Sequence, residues 1–326
     1  MAYYVGVDLG ATNVRAAVGD ESARILGRAE DRTPSGPAGI AVTETVLDVV
    51  RRACAAAGIE PTDATACGIG SIGPLDLAAG MVASPANLPD TIDQIPLTGP
   101  VSKLLDTDEV HLHNDTSAGV IGERFYAERN PDDMVYLTIS SGIGAGVCVD
   151  GHVLSGWDGN AGEVGHMTLD PDGTMTCGCG HEGHWEAYCS GSNIPEYARR
   201  IYAEAPVDTA LPIDDPALSA ADIFEQAGED TLADRVVRRI GHWNAMGVAN
   251  VIHAYAPLVI SVGGAVALNN PDLVLAPIRE RLDDMVFINV PEIELTALGD
   301  DVVLKGAIAS AMTGGTGDRT MAKFGR

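Results

Sequence analysis

The order of apolar and polar positions fixes most of the elements of this chain. Residues 3–7, Tyr-Tyr-Val-Gly-Val, form an apolar run with strand character, and Val14-Arg15-Ala16-Ala17-Val18 forms another. The small-residue segment Asp8-Leu9-Gly10-Ala11-Thr12-Asn13 lies between them, so a glycine turn joins strand to strand. Over residues 38–57, Val42, Val46, Val49 and Ala53 recur at helical spacing, and Gly58 suits a left-handed cap. A further strand precedes Gly68-Ile69-Gly70-Ser71-Ile72-Gly73-Pro74. His111-Leu112-His113 leads into Asn114-Asp115, and a helix is predicted over residues 116–128. Pro131 and two aspartates then interrupt the pattern.

The pattern next repeats. Val135-Tyr136-Leu137-Thr138-Ile139 is a strand, Ser140-Ser141-Gly142-Ile143-Gly144-Ala145 a turn of small residues, and Gly146-Val147-Cys148-Val149 a returning strand. Asp150-Gly151 suits a tight hairpin. A long helix is predicted over 231–254, with Leu232, Val236, Ile240 and Trp243 on one face. A buried-type strand over 258–262 ends in Gly263-Gly264. The pattern predicts an internal duplication in an α/β fold of two lobes. The expected small lobe is 1–115, completed by a helix over about 307–326; the expected large lobe is 116–306. Two such turns, facing each other across a cleft, would hold a polyphosphate on their backbone amides.

Composition narrows the class. Apolar residues make up 46% of the 326, which excludes a disordered chain. No uncharged apolar run of about 18 residues occurs, so no membrane span is expected. Met1-Ala2-Tyr3-Tyr4 lacks a signal-peptide pattern, and a cytoplasmic location is expected. The 46 acidic and 20 basic residues give a net charge of -26, and only Lys103, Lys305 and Lys323 are lysines. Such a field repels nucleic acid and anionic lipid. It fits adaptation to high salt, the composition of a halophilic protein. Cys54, Cys67, Cys148 and Cys189 are scattered, unlike a secreted disulfide framework, so the thiols are expected to be reduced.

The glycine turns point to phosphate chemistry of one kind. A dinucleotide or P-loop site needs a helix after its glycines, and the chain has no Gly-Lys dipeptide. In the first turn Asp8 can hold Mg²⁺ through water, Gly10 lets a phosphate approach the backbone, and Thr12 offers a hydroxyl. Gly263-Gly264 suits approach to a flat adenosine. Asp115 reads either as a helix cap or as a general base toward a sugar hydroxyl. Glu163-Val164-Gly165-His166 precedes Cys177-Gly178-Cys179-Gly180-His181-Glu182-Gly183-His184-Trp185-Glu186. A Cys-x-Cys with histidines on both sides supplies four candidate zinc ligands within nineteen residues, flanked by two glutamates suited to sugar hydroxyls.

Taken in order across roughly residues 5–265, these pieces resemble the ROK family (repressors, open reading frames, kinases), of the actin-like ATPase superfamily with its ribonuclease H-like lobes and duplicated mixed sheets. The matching segments are Asp8 to Thr12, Gly68 to Asp76, Asn114-Asp115, the 138–146 turn, Glu163 to His166, and Cys177 to Glu186. The resemblance implies an ATP-dependent sugar kinase, with glucose phosphorylated at the 6-hydroxyl. Fructose, N-acetylmannosamine or a broad hexose range is the alternative, and a non-catalytic sugar sensor a more distant one. It implies Asp115 as the base and Asn87, Asn114, Glu163, His166 and Glu186 as sugar contacts. Asp8, Gly10, Thr12, Thr138, Gly142 and Gly144 would surround the phosphates of ATP and Mg²⁺. A structural Zn²⁺ would be held by His166, Cys177, Cys179 and His184. Two departures stand out: His184 replaces the usual Cys, leaving His181 and Cys189 as further candidates, and Ser71-Ile72-Gly73 replaces a common Pro-Gly. Family members are often homodimers or homotetramers.

The charge yields the first prediction. Repulsion between acidic faces loosens the fold in dilute buffer, and molar KCl screens it. Circular-dichroism melts are expected to shift upward as KCl is added; a flat or falling melting temperature contradicts the halophilic reading.

Overall fold

The structure is a computed structural model describing residues 1–36, 38–85, 88–89 and 91–322. The chain opens with the strands β1 (Tyr3–Leu9), β2 (Asn13–Gly19) and β3 (Ile25–Arg32), then helix α1 (Gly39–Ala57) and β4 (Ala64–Ser71). The short strands β5 (Leu75–Asp76), β6 (Met81–Ala83) and β7 (Gln94–Pro96) form a small sheet of their own. Helix α2 (Thr98–Leu105), β8 (Val110–Asn114) and α3 (Asp115–Tyr126) follow. The second half runs β9 (Met134–Ile139), β10 (Ile143–Val149), β11 (His152–Val153), α4 (Glu186–Cys189), α5 (Ile194–Glu204), α6 (Ala220–Glu225), α7 (Thr231–Tyr255), β12 (Val259–Gly263), α8 (Ala265–Asn269), α9 (Pro271–Met285), β13 (Glu292–Leu295) and α10 (Val302–Thr313).

The expected duplication is visible in the sheets. One has strand order β3-β2-β1-β4-β8 and the other β11-β10-β9-β12-β13, the same spatial sequence twice. Asp150 and Gly151 both adopt positive φ at the β10–β11 hairpin, the conformation a tight primed turn requires. Two compact units result: residues 1–136, 146–162 and 301–326, and residues 137–145 and 163–300. The chain passes between them inside β9 and β10.

In the first unit, strand alternation explains the layering. Val5, Val7 and Leu9 point into one apolar cluster with Val42, Val46, Val49 and Ala53 of α1. Tyr4 points the other way, into a cluster with Ile121 of α3 and Leu304 and Ile308 of α10. Gly6 lies on that second face, and a Cβ there would strike Ile308 and the Leu304 carbonyl. Gly68 of β4 meets the Ala307 carbonyl in the same way. Missing side chains let α10 lie directly on the sheet. Gly122 and Gly306 repeat the device between α3 and α10.

This packing moves two expected boundaries. The helix after Asn114 stays with the first unit, whereas the sequence pattern opened a second lobe at residue 116. Helix α10 begins at Val302, five residues before the predicted 307, because Val302 and Leu304 are already buried. Arg124, on α3, is 1% exposed; its guanidinium donates to the carbonyls of Pro131, Gly151 and Thr316 and pairs with Asp132. One buried cation thus joins three distant segments of the first unit. Among the described residues, no helix is long and apolar enough to cross a membrane.

Candidate active site and metal loop

In the first unit, three parallel strands end in register. Leu9 of β1 pairs with Ser71 of β4, and Ser71 with Asn114 of β8. The Gly10–Thr12 turn, the Ile72–Pro74 loop and Asp115 therefore all leave from one carboxyl edge of the sheet. Ligands of open α/β sheets bind outside such edges. The first turn is tightly tied: the Gly10 N–H donates to the Asn13 carbonyl, the Thr33 N–H to the Thr12 carbonyl, and the Thr33 hydroxyl to the Gly10 carbonyl.

Asp8 has a partner that the sequence pattern did not reveal. Arg15, directly opposite on β2, donates to Asp8 Oδ2 through Nε at 2.9 Å and Nη2 at 2.5 Å. Arg15 also reaches Asp301, which binds Arg28. Burial pushes the Asp8 carboxyl up, and the opposing pull of the Arg15 guanidinium does not cancel it. Asp301 precedes α10, so the turn, the hairpin and the last helix share one ionic network.

Asn114 caps α3. Its Oδ1 accepts from the Thr116 N–H at 2.9 Å and the Thr116 hydroxyl at 2.7 Å. Asp115 is the first helical residue, and its Oδ1 accepts from the Thr116 N–H at 2.7 Å. Asn114 is therefore the cap residue, and Asp115 shares the Thr116 N–H with it. Asn160, which the sequence pattern did not single out, accepts from the Leu75 N–H and so holds the loop after Gly73-Pro74. Asn87 lies outside the described residues.

In the second unit, the 140–144 turn, the glycines after β12 and the Cys/His loop converge. A Cβ on Gly264 would strike the Ile139 carbonyl and the Thr138 hydroxyl, and a Cβ on Gly165 would strike the Ile143 carbonyl. The Gly191 N–H donates to the Ser140 carbonyl. Glu186, first residue of α4, accepts from the Ile143 N–H through Oε2 at 2.8 Å. Its other oxygen lies 3.6 Å from Cys177 Sγ. Gly142 faces Glu186 Oε2, and a Cβ there would displace that carboxylate. Gly144 sits on β10 and Gly263 closes β12. Glu163 stands 3.8 Å from His166 Nε2, and burial pushes its carboxyl up.

The metal loop is built by short bridges, Thr168 to His184 and Thr176 to Glu182. Ligand atoms of His166, Cys177, Cys179 and His184 all lie within 4.8 Å of one another. Two thiols and two imidazoles fit a four-coordinate zinc. His166 presents Nδ1 to Cys177 at 3.6 Å and Nε2 to Glu163, so the ring divides its nitrogens between the two. His181 lies outside this group of four, although its ring stacks on His184 and its Nδ1 is 3.6 Å from Cys179 Sγ. Cys189 is fully buried and donates to the Ile240 carbonyl, which removes it as a candidate.

A second anchor of the loop went unread in the sequence. Asp170 accepts from the Asp172 and Thr174 N–H groups, the Thr174 hydroxyl and the Tyr188 hydroxyl. Tyr188 also accepts from the Met175 N–H. The loop is thereby pinned to α4, just beyond Glu186. Burial pushes the Asp170 carboxyl up, but these donors outweigh it and hold it at about 2.

A model of the ROK family matches residues 4–313. The chain is 37% identical to a glucokinase of Pyrobaculum calidifontis over all of its length and 99% of the relative's. It resembles the crystal structure of a ROK hexokinase from Thermus thermophilus, with 33% identity, a TM-score of 0.77, and coverage of 95% of this chain and 97% of that one. It also resembles a ROK family glucokinase from Streptomyces griseus in complex with glucose and AMPPNP, with 29% identity, a TM-score of 0.76, and coverage of 95% and 99%.

The Asp170 cluster predicts acid sensitivity. A carboxyl held below its unfolded value, near 3.9, stabilises the fold fully above that pH and loses its contribution as pH falls toward about 2. Asp170→Asn is expected to cost about 1–2 kcal/mol at neutral pH, the free energy that holds the carboxyl in its charged form less what solvent screens. It should also flatten the loss of stability between about pH 4 and 2. Urea unfolding across that range checks this; equal pH slopes for both proteins would remove Asp170 as the anchor.

Proposed function

The chain belongs to the ROK family, and we propose that it transfers the γ-phosphoryl group of ATP to the 6-hydroxyl of glucose. What supports the reaction is Asp115 at the carboxyl edge of β8, directly after the cap residue Asn114. What supports the sugar is the full-length relation to a glucokinase.

Asp115 accepts the proton of the 6-hydroxyl as that oxygen attacks the γ-phosphorus, and ADP leaves. Asn114, Glu163, His166 and Glu186 bind sugar hydroxyls, with Asn87 as a further contact. Thr138, Gly142 and Gly144 present the second turn to the phosphates, and Gly263-Gly264 lets adenosine lie against backbone. In the first unit, Gly10 and Thr12 offer their own turn to phosphate.

Asp8 shares its charge with Arg15 and offers one carboxylate oxygen beyond that pair. Such a donor suits a Mg²⁺ that arrives with nucleotide and keeps its waters. The ion would offset phosphate charge. Zinc would be held by His166, Cys177, Cys179 and His184, which leave no open position for a catalytic water. The four ligands then fix the loop that ends at Glu186 and the ring of His166.

Two measurements test this reading. Asp115→Asn is expected to lower turnover by about 10²–10⁴-fold while glucose binding by calorimetry stays close to wild type. Turnover of the variant near the wild-type rate would place the base elsewhere. A sugar panel is run beside it; a clear preference for fructose or N-acetylmannosamine overturns glucose as substrate and leaves the kinase chemistry standing.

Elemental analysis tests the metal. One zinc per chain is expected, retained by His184→Cys and lost or rerouted to His181 in His184→Ala. Removal should raise the KM for sugar far more than that for ATP. Sub-stoichiometric zinc in a fully active, metal-replete preparation would contradict a structural metal.

A further inference from the structure

A cavity in the second unit is lined by none of the residues proposed above for sugar, nucleotide or metal. Its volume is about 460 Å³, and Tyr197 of α5, Arg238, Arg239, His242 and Trp243 of α7, and Arg281 of α9 line it. Three guanidiniums converge there in a chain with 46 acidic and only 20 basic residues. Several arginines elsewhere are matched to acids: Arg15 to Asp8, Arg28 to Asp301, Arg52 to Asp31 and Asp48, and Arg124 to Asp132.

Arg239 pairs with Glu204, which also holds Arg200. Arg281 spends one nitrogen on the Pro277 carbonyl of its own helix. Arg238 has no hydrogen-bond or ion-pair partner among the described residues. Neighbouring like charges repel, and an acid-rich sequence has ample means to neutralise them. Among the described residues, Glu204 is the one carboxylate paired with these three cations, which leaves the cavity with net positive charge.

Its floor is aromatic and fixed. The Trp243 indole N–H donates to the Tyr197 hydroxyl at 2.9 Å, and the ring lies 4.6 Å from Tyr188. The His242 ring is 6.1 Å from Trp243. Guanidinium planes, imidazole and indole stack on flat π-systems, while guanidinium forks take phosphate oxygens in pairs. A floor already held by hydrogen bonds needs little ordering on binding.

We propose that this cavity is a binding site for a nucleoside monophosphate, its base against Trp243 and His242 and its phosphate on Arg238 and Arg281. The volume suits a small ligand of this size. The site is separate from the proposed ATP turns, whose residues lie at 138–144 and 263–264.

The test uses the full-length W157F chain. Trp157 is 97% exposed and Trp185 fully buried, so Trp243 then dominates any ligand-dependent fluorescence change. With glucose and a non-hydrolysable ATP analogue saturating the other site, AMP is titrated, with glucose 6-phosphate and inorganic phosphate as separate arms. AMP is expected to give a saturable change that the two other probes do not reproduce. R238S, an exposed substitution, and the double variant R238S/R281S should weaken AMP by about tenfold or more while turnover stays unchanged, since charged hydrogen bonds are worth about 1.5–3 kcal/mol. The proposal falls if AMP gives no saturable change up to about 10 mM, beyond the usual range of specific binding. It falls equally if R238S binds AMP as wild type does, or if glucose 6-phosphate or phosphate alone binds as tightly as AMP.

Discussion

One hydrogen bond organises the second unit's site. The N–H of Ile143, where the turn after β9 enters β10, donates to Glu186, which stands where the Cys/His loop becomes α4. A carboxylate so placed cannot move without disturbing the turn, and the turn cannot shift without releasing the carboxylate. The close approaches at Gly142 and Gly165 leave no slack around that contact. On the other side, Asp170 and Tyr188 pin the loop from behind. The groups proposed for sugar and for phosphate are therefore parts of one rigid element in this unit, and that rigidity is what holds reacting groups in alignment.

The first unit reaches its alignment by other means. Register fixes the ends of β1, β4 and β8 at one level, and the glycines of β1 and β4 let α10 press against the sheet behind them. The Asp8–Arg15–Asp301–Arg28 network then ties the first turn to the start of α10. Arginine is the side chain that serves here, because its planar fork meets two carboxylates at once. That preference accords with a chain holding three lysines.

Much of this was legible in the sequence, and the reasons are local. Short apolar runs marked β1, β2, β9 and β12, and the stripe Val42, Val46, Val49, Ala53 marked α1 with its Gly58 cap. The duplication was readable because both halves repeat strand, small-residue turn and strand. The clustering of His166, Cys177, Cys179 and His184 followed from spacing within one short loop. Long-range partners were not legible. Nothing beside Asp8 announces Arg15, and nothing beside Asp170 announces Tyr188, because those pairings exist only once strands and loops fold together. The strands β5 to β7, of two or three residues each, are too short to carry a period. Asn114 and Asp115 are both good caps by type, and only backbone geometry decides between them. The lobe boundary at residue 116 failed for a related reason: α3 looks like the start of something new until its glycine contact with α10, some 180 residues onward, is seen.

That last contact bears on how the molecule is made. The first unit needs α10 to cover one face of β1 and β4, and it needs the Thr316 carbonyl to satisfy buried Arg124. Both lie near the carboxyl end of the chain. During synthesis, domains generally fold as their residues emerge. Here the amino-terminal sheet emerges first yet has an open apolar face until residues 301–316 are out of the ribosome. The second unit, ending at Asp300, is complete before then. The first sheet therefore keeps one apolar face uncovered until after the second unit's residues have been made, a surface that a chaperone can hold.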